Sequence, residues 1–401
     1  MKFTRIFLCF LATIGLRIDA ASADDYDRHG HGDNTQADAS KQVDKWQKEY
    51  LDYVHDTLKT HQSGLVTFPR LRSTEVSLMY GQGSNVSSIT KRSKPPRSSK
   101  QAVPGARSRF DDFSSQHIIL TPYVHFSVRS IPVPLLSQQI NLTVPQGLFF
   151  HFHRYLLYIY EKALREECGY SGTQPYWDWT ISWEDPRKST VFDGSPTSIG
   201  SNGAAIPHNA TTISAFGLTF PVPAATGGGC ISGPFSDYTV NLGPVAFAPY
   251  GPDGGLGYNP RCLSRDISLV WANNTKPTDV VRLVNGCTDL GCFDTACEAI
   301  DGVHGGGHFT MGGLGLDAYS SPGDPAFWLH HAMVDRVWSL WQGLDPKNRV
   351  GMVYGTGTAF NVPPSPNVTV DTVIDYGVLA PPQKVGDLGS TISGPFCYTY
   401  V

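Results

Sequence analysis

The sequence predicts a mainly α protein with long loops and a few short strands, on three observations. Apolar residues recur at helical spacing through Lys41–His61 and again through GLFFHFHRYLLYIYEKALREECGY, residues 147–170. The turn SPGDP, residues 321–325, opens a further helical stretch that begins AFWLHHAMVDRVW. Between them lies 181–285, where Gly, Pro, Ser and Asn recur and only short strands, near Tyr238–Leu242, fit the pattern. At 401 residues, 40% hydrophobic and 16% charged, the chain can bury a sizeable core. A formal net charge of −4 offers no basic excess for nucleic acid.

Residues 1–23 read as a secretory signal. Lys2 and Arg5 form its charged start, IFLCFLATIGL its apolar stretch and Ala21-Ser22-Ala23 its cleavage site. That stretch is too short to span a bilayer, so an exported, soluble protein is expected. Five N-x-S/T sequons, at Asn85, Asn141, Asn209, Asn273 and Asn367, agree with a secreted glycoprotein. Cys9 leaves with the signal. Cys168, Cys230, Cys262, Cys287, Cys292, Cys297 and Cys397 remain, an odd set in a compartment that favours disulfides.

Residues 24–106 form an N-terminal extension. It has a polar start to Thr35, then an amphipathic helix in Lys41–His61 whose Trp46, Tyr50, Val54 and Leu58 should pack on the main body. A Ser-, Lys-, Arg- and Pro-rich loop over 73–108 follows, mobile or draped on the surface. In the long helix after Gly147, Phe149, Phe152, Leu156, Tyr160, Ala163 and Leu164 mark the buried face, and QPYWDWT closes the region with an aromatic cluster. The loops of 181–285 are the expected frame of a binding mouth.

Chemistry concentrates in 302–342. His304 and His308 stand four positions apart, on one helix face. Phe327, His331 and Asp335 share a stripe of the next helix, so three imidazoles can converge on one point. Three imidazoles suit copper, zinc, iron or nickel. A zinc protease helix needs a Glu between the paired histidines, and here the interval is Gly305-Gly306-Gly307. Each glycine costs a helix about 1 kcal/mol relative to Ala, so the backbone there must approach something closely. A second group, His117, His125 and His153, lies upstream, with His153 one turn after Phe149 and facing the interior. His151 and His330 lie about 200° and 100° around their helices from their neighbours, and read as packing or supporting residues.

HFHRYLLYIYEKALREECGY followed by PYWDW, with HGGGH and SPxDPxFWLHHAxVDRxW, resembles the tyrosinase family of type-3 copper proteins, in particular the short secreted tyrosinases and catechol oxidases of fungi. The likeness runs from about Arg107 to Tyr400, so 107–401 reads as one copper-binding domain. It implies a four-helix bundle holding two copper ions, one on His117, His125 and His153, the other on His304, His308 and His331. It also implies dioxygen and small phenolic substrates, with o-diphenols leaving as o-quinones. Phe327 matches the family's aromatic residue beside the second copper. Asp335, on the His331 stripe, is expected to orient a ligand imidazole, with an ordinary surface ion pair as the alternative. Glu298 is the candidate acid that holds a water near the site, with a surface carboxylate as the alternative. Tyr398-Thr399-Tyr400 resembles the paired tyrosines that close the catalytic domain.

Departures from the family pattern matter. Its second and third ligands to the first copper stand nine positions apart, whereas His125 and His153 are 28 apart. Residues 128–146 read as an insertion, a genuine loop or a retained intron, that would displace His117 and His125. Tyr123 stands where some relatives carry a cross-linked Cys, so no thioether is expected. Gly305 stands where Asn accompanies monophenol hydroxylation, which favours diphenol oxidation. Two rival readings follow: a non-catalytic remnant with a disrupted first site, and a dioxygen carrier.

Overall fold

The structure is a computed structural model that describes residues 36–60, 70–72, 94–125, 146–215 and 218–401. The signal, the polar start, residues 73–93 of the basic loop, Asn85, Asn141 and all of the 128–146 segment except Gln146 lie outside the described residues. Gln36–Val401 forms one compact unit.

Four helices make its centre. Helix α1 (Gln36–Thr60) lies outside them and buries Val43, Trp46, Tyr50 and Val54, much of the stripe its periodicity predicts. It is tied in by Gln47, which donates to the Tyr400 carbonyl at 2.9 Å and accepts from Arg336 Nε at 3.0 Å. Helix α2 (Arg109–Val124) starts at a capping box: the Ser108 hydroxyl accepts from the Asp111 N–H, and the Asp111 carboxylate accepts from the Ser108 N–H. Asp112, fully buried, accepts from the Arg97 and Ser98 N–H groups and pairs with Arg109. Residues 94–108 are therefore pinned to α2, with Val103 and Ala106 buried against Ile118 and Leu242.

Helix α3 (Phe149–Cys168) buries the predicted face and ends at Gly169, whose φ of 75° suits a residue without a Cβ. Helices α4 (Pro277–Gly286) and α5 (Leu290–Glu298) are joined by a tight turn closed by the Cys287–Cys292 disulfide. Helix α6 (Val303–Met311) carries HGGGH, and α7 (Ala326–Gly343), buried along nearly its whole length, packs on α3 and α6. Trp328 of α7 stacks on Tyr160 of α3 with ring centroids 3.8 Å apart.

Among the described residues the strands form two-stranded pieces. The loop region holds Gly203–Ala205 with Gly228–Ile231, Thr211–Ala215 with Leu218–Val222, and Thr239–Val240 with Arg261–Cys262. The Cys230–Cys262 disulfide joins two of these pieces. Arg70–Arg72 pairs in parallel with Tyr398–Tyr400, which brings the end of the chain back over α7. Cys297 is a buried thiol in neither disulfide. Among the described residues no helix is long and apolar enough to cross a membrane.

Candidate metal centre

Two groups of histidines meet between α2, α3, α6 and α7. His117 lies within α2, His125 is the extended residue that ends it, and His153 lies on α3. One nitrogen from each ring lies within 4.8 Å of the other two, and all three residues are buried. The insertion expected at 128–146 therefore does not hold His125 away from its partners. His304 and His308 on α6 and His331 on α7 form the second group, with His330 beside them. The His153 and His331 rings stack across the groups at 4.2 Å, so the two sites share a wall.

Backbone carbonyls orient these rings. His117 Nδ1–H donates to the Tyr319 carbonyl at 2.7 Å, His153 Nδ1–H to the Phe149 carbonyl at 2.8 Å, and His308 Nδ1–H to the Gly315 carbonyl at 3.0 Å. Each bond fixes a tautomer and leaves Nε2 with a lone pair. Burial pushes the His117 ring down to about 3 and the His308 ring to about 4, so both are neutral at ordinary pH. His117 Nε2 and His153 Nε2 then face each other at 3.4 Å with no proton between them. Opposed lone pairs at that distance are unfavourable unless a cation sits between them. In the second group, His304 Nε2 is buried without a hydrogen-bond partner. Both observations fit a site built for metal.

His330 differs. Its Nδ1 accepts from the Trp179 indole N–H at 3.0 Å, which places its own proton on Nε2 and leaves no lone pair for a metal. It stacks on His304 as a packing residue, as its helical phase suggests. His151 packs edge-on to Trp338, its ring driven to about 3 by burial. The PYWDW cluster thus supports the second group through Trp179, while Asp178 pairs with Arg336.

The glycine run is explained by close approach. A Cβ at Gly305 would lie 2.5 Å from the Ile300 carbonyl oxygen, at Gly306 2.8 Å from Asn274 Cβ, and at Gly307 2.2 Å from His330 Cε1. Gly305 adjoins His304, but its open side faces the carbonyls of Ala299 and Ile300. Glu298, at the end of α5, is buried, which removes the surface reading.

Phe327 stands 4.1 Å from the His331 ring and 5.1 Å from that of His117, so it touches both groups. Its counterpart escaped the sequence reading: Phe149 lies 4.6 Å from His153 and 4.7 Å from His304. The signal was present, since α3 and α7 both carry Phe four residues before the inward His.

Asp335 overturns an expectation. It does not orient an imidazole: His331 Nδ1 is buried without a hydrogen-bond partner. The Asp335 carboxylate instead accepts from Arg154 Nε at 2.6 Å and from the Tyr398 and Tyr400 hydroxyls. Arg154, wholly buried, also donates to the Gly389 carbonyl, Ser339 and Gln342 and lies over Trp338. This charged knot locks α3, α7 and the last strand together.

Of the six candidate ligands His308 is the most exposed and His304, at 8%, the next, so the α6 side of the centre is the less covered one. A helical bundle that brings two three-imidazole groups to a common wall defines a dinuclear metalloprotein. The common central domain of tyrosinase matches residues 107–344, and the chain belongs to the tyrosinase family. Tyrosinase P of Aspergillus terreus is 36% identical over 365 residues, covering 85% of this chain and 96% of that protein. N-acetyl-6-hydroxytryptophan oxidase of Emericella nidulans is 34% identical over 335 residues, covering 77% and 85%. The structure of a polyphenol oxidase from Thermothelomyces thermophila superposes with a TM-score of 0.75 at 37% identity, covering 90% of this chain and 97% of that one. The family's cofactor is a copper pair, and the two histidine groups fit it.

Proposed function

We propose that the protein is a secreted o-diphenol oxidase that turns catechols into o-quinones with dioxygen. His117, His125 and His153 would hold one copper, and His304, His308 and His331 the other. The copper pair, when bound, supplies the two one-electron centres that a two-electron oxidation of a diphenol requires. The observation that carries this reading is the pair of triads with opposed nitrogens, less covered on the α6 side at His308.

The chain's own residues do the rest. Phe149 and Phe327 keep the rings in place and water out of the shared wall. A phenol would enter over His308, and Glu298 is the candidate carboxylate to take its proton. Gly305 stands where the family's Asn accompanies monophenol hydroxylation, and that likeness favours diphenols over monophenols. Export is supported by the signal-like residues 1–23, by two disulfides and by the exposure of the described sequon asparagines Asn209, Asn273 and Asn367.

The test is copper per chain in protein secreted from this sequence, read with oxygen uptake on catechol. About two coppers with catechol-dependent uptake is expected. A value near one places the loss at the first triad and supports the remnant reading. Two coppers with reversible oxygen binding and no catechol turnover supports a carrier.

A further inference from the structure

Three candidate ligand rings are oriented by backbone carbonyls. His153 uses the Phe149 carbonyl, one turn back on its own helix, which α3 supplies wherever it forms. His117 and His308 reach beyond their helices, to the carbonyls of Tyr319 and Gly315 at 2.7 and 3.0 Å. These two acceptors stand four positions apart, in the segment that joins α6 to α7. One short stretch of backbone thus orients a ring in each triad.

That stretch is tied down along its length. The Gly315 N–H donates to the Gly312 carbonyl at 2.9 Å, the Asp317 N–H to the Leu314 carbonyl at 3.0 Å, and the Ser321 N–H to the Asp317 carbonyl at 3.0 Å. At its middle the Asp317 side chain is wholly buried. One carboxylate oxygen accepts from the Tyr319 and Ser320 N–H groups at 2.9 and 3.1 Å, the other from those of Val245 and Ala246. The Ala246 carbonyl in turn accepts from the Ser214 N–H at 2.6 Å, in the strand Thr211–Ala215. The carboxylate therefore fastens the stretch to the loop region. On the α2 side, Thr121 Oγ1, one turn after His117, lies 3.3 Å from the Ala318 carbonyl. Two N–H groups converge on each carboxylate oxygen, an arrangement that an amide cannot answer, because its NH2 would face two donors.

We propose that Asp317 is a positioning residue that couples the two triads, holding Gly315–Tyr319 in one arrangement so that His117 and His308 are set together. It acts through the two carbonyls. The inference rests on the triads holding metal and is independent of which phenol is oxidised. A disturbance at either end of the stretch is therefore felt at both metal sites.

The test uses the full chain isotope-labelled at histidine nitrogen, first copper-free and then loaded with copper. In the parent each ring should show a single Nδ1–H signal, identified by its loss in His117→Gln or His308→Gln. Asp317→Asn leaves two N–H groups facing an amide NH2, so both signals should shift or split. Chelator competition should then find both coppers held roughly tenfold to a hundredfold more weakly. Gly315→Ala enters from the other end, where its Cβ would lie 2.9 Å from Met311 Cβ and 3.1 Å from the His308 carbonyl oxygen. It should move the His117 signal as well as that of His308, and it decides the matter should Asp317→Asn fail to fold. Asp112→Asn removes another wholly buried carboxylate, and should lower Tm while leaving both signals in place. A His117 signal that stays put in Gly315→Ala, or one site weakened alone in Asp317→Asn, overturns the coupling. So does an equal response in Asp112→Asn, which would show general loosening. A parent that takes up no copper overturns the metal reading, while the copper-free spectra still decide the coupling.

Discussion

The two triads are assembled from opposite kinds of sequence. The second comes from one contiguous stretch, His304 to His331, in which two helices and the turn between them are encoded together. The first is gathered from α2, its extended end and α3, across a 28-position gap between His125 and His153. It is nevertheless the more covered of the two, with all three residues buried, while His308 of the second is half-buried. Contiguity in sequence therefore does not rank the sites. If the proposed activity holds, that difference would make the first triad the covered side of the centre and the second the side a substrate reaches. They are also not independent. His117 takes its orientation from the Tyr319 carbonyl, in the segment between α6 and α7 that Asp317 holds by backbone hydrogen bonds.

The sharpest way to break the comparison is to remove one ring from each side. His153→Ala and His331→Ala should each lower copper from about two per chain to about one or less. Each should also cut catechol oxidation on the order of a thousandfold or more, because a two-electron step cannot proceed at a single one-electron centre. Metal analysis with oxygen uptake reads both. Full activity in His153→Ala would mean that the buried triad serves only the fold.

Removing copper sharpens the same contrast. In the copper-free protein the rings are neutral when folded, with folded values of about 3 for His117 and about 4 for His308 against roughly 6.5 unfolded. Below about 6.5 the unfolded chain binds protons that the folded chain refuses, so stability falls as pH falls. For His308 the loss is complete near 4, and for His117 it continues to about 3. Urea midpoints of the copper-free protein should therefore drop steadily from pH 7 to pH 4, while the loaded protein resists until copper is released. A flat profile for the copper-free form would show that these rings are already protonated or solvated when folded.

Much of this was legible before any coordinates. Helical periodicity placed α1, α3 and α7, and their buried faces match it. The i, i+4 spacing put His304 with His308, and helical phase set His151 and His330 apart from the ligand candidates. What could not be read is long-range. The spacing of His125 and His153 sets no distance when an irregular segment joins them. The partners of Asp335 come from α3 and the last strand, at separations of 181, 63 and 65 residues. The carbonyls of Tyr319 and Gly315 carry no side-chain signature, so the atoms that fix the tautomers were invisible. Gly305, Gly306 and Gly307 announced a close approach but not its targets, which proved to be a carbonyl turn, Asn274 and the His330 ring.

The mildest intervention concerns support that the second triad has and the first lacks. Trp179 donates its indole N–H to His330, which holds that ring's proton on Nε2 and keeps it from competing as a fourth imidazole. Trp179→Phe keeps the aromatic bulk and deletes the donor. The orphaned acceptor should cost about 1–2 kcal/mol, read as a fall of a few degrees in Tm. Copper should stay near two per chain and catechol oxidation within about tenfold of the parent, since no candidate ligand is touched. Unchanged stability would mean that His330 is held by its stacking on His304 alone. Loss of the second copper would mean that His330 binds metal after all, and that the second site uses a different set of three rings.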